Sequence, residues 1–189
     1  MKSFVTASLL ALVGASAAAS SNLRFAKRNN PDNSCGADPG SSAIANAINQ
    51  WNSDVVTVNG FLEQAASLDP TTLMADLANA LTAAQNEPNQ LNVLACESDV
   101  SSGTPAQNAA NDLFNGFEKN VLVPLGNIMA NAGDSNNVAT QLQTINQFRC
   151  CHVLPDLDAL WSSTAEDEGV ANIAPISAPR PSTCASISC

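Results

Sequence analysis

The sequence predicts an all-α protein: an up-down bundle of four main helices, some kinked by proline, with an irregular C-terminal tail tethered through cysteines. Three observations carry this. Apolar residues return at alternating steps of four and three along most of the chain, the spacing that lines one side of a 3.6-residue period. Helix-start signals punctuate those stretches and leave only short connections, which makes neighbouring helices antiparallel. Beyond Ser162 the periodicity stops, Ser, Pro, Thr and Ala dominate, and Cys184 and Cys189 are the expected anchors.

The first helix, Ser41 to Leu68, has Ile44, Ile48, Trp51, Val55, Val58, Leu62 and Ala65 on one seam, widened by Phe61 and Ala66. That breadth suits a globular bundle better than a narrow coiled coil. Its other side is polar but hardly charged: Asn46, Asn49, Gln50, Asn52, Ser53 and Asn59. Ser41 or Ser42 is the expected N-cap. At Asp69-Pro70 the chain restarts, Asp69 capping the second helix and Pro70 filling its first turn. There Met74, Leu77, Leu81, Ala84, Leu91 and Ala95 keep one register if Pro88 takes the seam position between Ala84 and Leu91, which predicts a kink and not a break.

Thr104-Pro105-Ala106-Gln107 is a capping box that opens the third helix. Its stripe runs Ala106, Ala110, Leu113, Phe117, Val121, Leu125, Ile128 and Ala132, and slips by one residue before Pro124. A kink or widened turn is expected at that slip. The fourth helix follows Asp134-Ser135, uses Val138, Leu142, Ile145 and Phe148, and is expected to stop at Pro155, with one more turn docking Leu157, Leu160 and Trp161. The bundle is therefore assigned to residues 29–161 and the extended tail to 162–189.

Ahead of the bundle, Lys2, an apolar run from Phe4 to Val13 and small residues through Ala19 read as a secretory signal peptide over residues 1–19. Residues 20–28 end in Lys27-Arg28, a dibasic processing site that closes a propeptide. Cleavage there leaves three basic against seventeen acidic residues, a net charge of about −14. Such a chain is repelled by phosphate backbones and anionic lipid, so nucleic acid is excluded as a partner. No run is long and apolar enough to be a transmembrane segment. Tyrosine is absent and aromatic residues are few, which leaves little to stack on bases or sugar rings.

All six cysteines, Cys35, Cys96, Cys150, Cys151, Cys184 and Cys189, lie after the processing site. An even count in an exported chain reads as disulfides. No C-x-x-C pair exists and His152 is the only histidine, so a zinc site is not expected, nor any other metal or cofactor. Adjacent Cys150 and Cys151 point different ways on a helix and should each bond elsewhere. With four antiparallel helices of the expected lengths, all six cysteines should gather at one pole.

Val55-Val56-Thr57-Val58-Asn59-Gly60-Phe61-Leu62, then Leu77 to Leu81 and Ala83-Ala84-Gln85-Asn86-Glu87-Pro88-Asn89-Gln90-Leu91, resemble a group of uncharacterised cysteine-containing secreted helical proteins of filamentous fungi. More distantly, the signal peptide and Ala-rich helices are similar to the fungal hydrophobic surface binding, or cell-wall galactomannoprotein, family. The resemblance implies an extracellular fungal protein and brings no catalytic residues with it.

Catalytic chemistry finds no support in the residues. His152 reads as a helix-end histidine beside oxidised cysteines rather than a general base. Asp156 with Asp158, or Glu166 to Glu168, would be the carboxylate pairs for glycoside hydrolysis, yet each reads as solvated acidic surface without a fixed separation. Asp134-Ser135-Asn136-Asn137 lacks the length and terminal Glu of a calcium loop. The expected function is that of a secreted non-enzymatic interaction protein, cell-wall or surface-associated or a host-directed effector. The alternative is an extracellular carrier holding a small apolar, lipid-like ligand between its helices.

Overall fold

The computed structural model describes Cys35 and residues 37–189; the expected signal peptide and the Lys27-Arg28 processing site lie outside the described residues. Four rods form the expected all-helical up-down bundle, with no strand among the described residues. The first is α1 (Ser41–Gln64), prolonged by a 3-10 turn at Ala65–Ser67, and the second is α2 (Pro70–Leu94). The third joins α3 (Pro105–Phe117) to α4 (Val123–Ala130) through a π turn at Glu118–Leu122. The fourth joins α5 (Ser135–Phe148) to α6 (Leu154–Asp167) through a second π turn at Arg149–Val153. α1 packs chiefly on α2, α3 on α6, and α4 on α5. No helix among the described residues is long and apolar enough to cross a membrane.

The rods start where their caps direct. Asp69 accepts the Thr71 and Thr72 N–H groups, Asp134 those of Asn136 and Asn137, and Thr104 Oγ1 that of Gln107. Gln107 Oε1 reaches back to the Gly103 N–H at 3.0 Å, one residue upstream of the usual capping-box partner. α1 starts differently from expectation. Gly40 is its N-cap, at φ 75°, and Ser41 is already helical. A left-handed φ is open to glycine and costs a serine, so the serines follow the turn instead of making it.

Three prolines lie inside rods, and none ends one. Pro88 continues α2 without interruption. Ahead of Pro124, the Val123 N–H bonds to the Glu118 carbonyl, and ahead of Pro155, the Leu154 N–H bonds to the Arg149 carbonyl. Each is an i to i−5 bond, which swings the local carbonyls away from the pyrrolidine ring that would otherwise collide with residue i−4. The widened turn expected before Pro124 is there. The interruption expected at Pro155 is not, because the same device carries the fourth rod through it. The bundle consequently extends past Trp161 to Asp167.

The core stripes of α1, but for exposed Ala66, and of the third rod follow the sequence, and in α2 Leu77, Ala84, Leu91 and Ala95 are buried as expected while Leu73, Ala80 and Glu87 take the places of Met74, Leu81 and Pro88. Its buried seam is Leu73, Leu77, Ala80, Ala84, Glu87, Leu91 and Leu94, an unbroken alternation of fours and threes. Pro88 is only half-buried and Glu87 takes the seam place assigned to it. Midway, Trp51 of α1 meets Trp161 of α6 edge to face, ring centroids 6.1 Å apart at 65°.

Residues after Asp167 are more ordered than an extended tail held only by cysteines. They descend parallel to α1 as a strap. Asn49 Nδ2 donates to the Ile173 carbonyl at 3.2 Å, Asn59 Nδ2 to the Pro179 carbonyl at 2.9 Å, and the Ser182 N–H to Glu63 Oε1 at 2.7 Å. Val170, Ala174 and Ala178 are buried under the strap, and Ser182–Ser186 forms a 3-10 turn.

The six cysteines form three disulfides, Cys35–Cys96, Cys150–Cys184 and Cys151–Cys189, with Cα separations of 5.3, 5.3 and 5.4 Å. Cys150 and Cys151 bond to different partners, as expected. They do not share a pole with Cys35 and Cys96. Because the fourth rod runs on through Pro155, its cysteines lie in mid-rod, and the strap comes down to meet them.

Candidate functional site

Besides the surface pair Asp158–Arg180, helix geometry brings ionisable groups together at three places along the fourth rod. In the middle of the bundle, α2 delivers Glu87 and the π turn delivers Arg149, 1% and 0% exposed. Arg149 Nη1 donates to Glu87 Oε1 at 3.1 Å and Nη2 to Asn59 Oδ1 at 3.2 Å, while Trp51 Nε1 donates to Glu87 Oε2 at 2.9 Å. Asn59 hands the chain of bonds on to the strap through Pro179. Burial pushes the Glu87 carboxyl up in pKa, and the adjacent guanidinium and indole N–H pull against that. Arg149 Nε is left without an acceptor. Both carboxylate oxygens are satisfied and the guanidinium is fully enclosed, so the node joins rods one, two and four to the strap.

The second place is the pole where the lead-in, the end of α2 and the end of α6 converge. Asp38, Glu97 and Glu168 place carboxylate oxygens within 4.8 Å of one another. Glu97 is only 3% exposed. Its Oε1 accepts from Ser98 Oγ at 2.9 Å and its Oε2 from the Asp99 N–H at 2.9 Å. Burial first, and then a hydrogen bond to Asp167, raise its pKa to about 7. The Gly40 N–H holds the Asp38 carboxyl below its usual range, and burial with the Asp38 contact raises Glu168. These oxygens are hard donors of the kind calcium takes, but both oxygens of Glu97 already accept hydrogen bonds, and the arrangement is suited to holding protons.

At the third place His152 Nδ1 stands 2.8 Å from Asp112 Oδ2, and its ring stacks on Phe148 at 4.9 Å. Asp156, half-buried, is raised to about 7 by burial and by the hydrogen-bonded Asp112. This corrects the reading of Asp156 as solvated surface. Asp158, on the far side of α6, turns instead to Arg180 of the strap at 2.5 Å. The supposed Asp156–Asp158 pair therefore does not form. Asp156 instead faces Asp112, which in turn bonds His152. Glu166 and Asp167 sit on the last turn of a helix, exposed, and Glu168 joins the pole, so the acidic knot is no part of a flexible tail. No free cysteine exists among the described residues, and Asp112 is the hydrogen-bond partner of His152.

Elsewhere, α1 and α2 leave two adjoining open concavities of 680 and 570 Å³, the second with Asp54 as its one acidic lining residue. Both include Gln50. Asn46, Asn49 and Gln90 line one, and Asn79, Asn86 and Asn89 the other. Asn46, Asn49 and Gln50 of the polar side expected on α1 thus line a groove, whereas Asn59 of that side is buried. Glu87, Arg149 and Asn59 were missed from sequence, and so was the whole acidic pole. Compared with family models, with curated proteins and with solved structures, the chain matches none.

Proposed function

We propose that this is a secreted, non-enzymatic interaction protein of a fungus, acting at the cell wall or another surface or on host tissue, and that it docks through the amide-lined groove of α1 and α2. The groove carries the reading. In a strongly acidic chain it is a long face with almost no charge, rich in side chains that both donate and accept hydrogen bonds, on rods stapled by disulfides. Such a face suits a neutral polar partner. Three disulfides fit an oxidising compartment. Trp51, Trp161, Ile48, Leu77, Leu113 and Leu154 fill the space between the rods where a carried apolar ligand would lie, which favours docking over the carrier alternative.

The test is a partition assay of the purified protein on isolated fungal walls and on host tissue fractions. Wild type should pellet with one of them, and Asn46→Glu combined with Gln50→Glu should stay in solution with unchanged helicity. Equal partition of both proteins, or a lipid co-purifying in native mass spectrometry, would overturn the proposal.

A further inference from the structure

The carboxyl groups of α6 and the residue after it share a pattern that the docking reading does not use. Asp156 faces Asp112 of α3, Asp167 faces Glu97 after α2, and Glu168 faces Asp38 of the lead-in, and the carboxylate oxygens of Asp38, Glu97 and Glu168 lie within 4.8 Å of one another. Two carboxylates repel when they face each other this closely, and a proton carried by one of them turns the contact into a hydrogen bond. Asp156 Oδ2, buried, receives no hydrogen bond from any N–H or hydroxyl. Arg149 and Arg180 are spent on Glu87 and Asp158, and no described lysine or arginine pairs with these six groups. The charged or titratable groups facing Glu97 are Asp167, Asp38 and Glu168, and those facing Asp156 are Asp112 and His152.

We infer that protons dock the C-terminal half of the fourth rod onto α2, α3 and the lead-in, so that this half of the rod is held closed in mild acid and loosens as the medium approaches neutral pH. The Glu97 and Glu168 contacts hold the last turn of α6 at the pole, and the Asp156 contact holds its first turn against α3, so the helix is gripped at both ends. Losing the shared proton puts like charges in contact where burial of Glu97 keeps water from screening them. Glu97 and Asp156 hold their protons up to about pH 7 in the folded chain. In the unfolded chain a carboxyl releases its proton near about pH 4. The folded form therefore binds protons that the unfolded form has lost, and this stabilisation, full below about pH 4, is lost as pH rises to about 7. Asp38 and Asp69, whose pKa values are lowered, act oppositely and lose their contribution in stronger acid. Best stability falls in the mildly acidic range between those limits.

Thermal unfolding of the oxidised mature chain, followed by circular dichroism in EDTA at about pH 5 and about pH 7.5, reads the effect. Wild type should melt lower at the higher pH by on the order of 5 °C. Glu97→Gln with Asp156→Asn keeps an N–H donor at every pH, so the double variant should lose most of that difference. Hydrogen exchange corrected for intrinsic rates should show the 154–168 segment several-fold less protected at neutral pH in wild type alone. Parallel melting profiles for the two proteins, or protection of 154–168 that does not change with pH in wild type, would overturn the inference. The exchange measurement needs no variant, so it decides even if the double variant does not fold.

Discussion

Glu87 on α2 and Glu97 in the turn after it are two buried glutamates about three helical turns apart, and the fourth rod answers them in opposite ways. To Glu87 it brings the Arg149 guanidinium; to Glu97 it brings the Asp167 carboxyl. Against one carboxylate lies a cation that does not deprotonate, which favours its charged form. The other keeps its place by binding a proton. Burial alone raises both, so burial does not settle the state of either group. What faces the carboxyl does. The contrast gives the middle of the bundle a countercharge that persists as pH changes and leaves the pole dependent on protons.

The cationic side of that comparison breaks most severely at Arg149. Arg149→Met leaves Glu87 buried beside one indole N–H and no countercharge, and should cost about 3–5 kcal/mol in urea unfolding. Adding Glu87→Met should recover most of the loss, because well-packed apolar side chains commonly replace a buried pair without penalty. If the single variant loses less than about 1 kcal/mol, Arg149 is not the partner that keeps Glu87 ionised.

How Arg149 reaches Glu87 can be tested next. Gly116 of α3 lies against Phe148, the residue before Arg149; a Cβ at Gly116 would come within 2.2 Å of Phe148 Cζ. Gly116→Ala must displace the ring, which stacks on His152, and should cost about 1–3 kcal/mol. A neutral result would show that the π turn holds Arg149 in place without close contact between the third and fourth rods.

Much of this was legible in the residues. Alternating fours and threes located all four rods, and caps at Asp69, Thr104 and Asp134 located their starts. The node was within reach of the same counting. From Leu77 through Ala84, a step of three lands on Glu87, and from Val138, Leu142 and Ile145 a step of four lands on Arg149. Opposite charges on facing seams are the signal, and it falls outside a pattern of apolar residues. Pro88, one position on, is the less polar candidate for that seam place. Pro155 could not have been read from sequence spacing alone. A proline ends a rod or widens it to a π turn according to the packing available beyond it, and here Leu157, Leu160 and Trp161 are fully buried. The pole was hidden for a different reason: Asp38, Glu97 and Glu168 are far apart in sequence and meet only because the fourth rod runs to Asp167.

A third carboxylate sharpens the comparison at its weak end. Asp158 is neither enclosed with its cation nor dependent on a proton. It meets Arg180 at the surface, with more than a third of each side chain exposed. Water and salt screen such a pair, so Arg180→Ala should cost less than about 1 kcal/mol, and that cost should shrink as salt is added. Asp158→Ala should cost more, because Asp158 Oδ1 also accepts the Ala178 N–H at 2.7 Å where the strap turns under its buried alanines. Asp158→Asn separates the two roles. Its amide oxygen can still take the Ala178 N–H, and only the charge on the pair is lost. It should therefore behave like Arg180→Ala and not like Asp158→Ala when urea midpoints are compared. Were all three variants equal, the carboxylate would hold the strap through its charge alone, and the surface would have to be counted with the node as a place where ionisation fixes the fold.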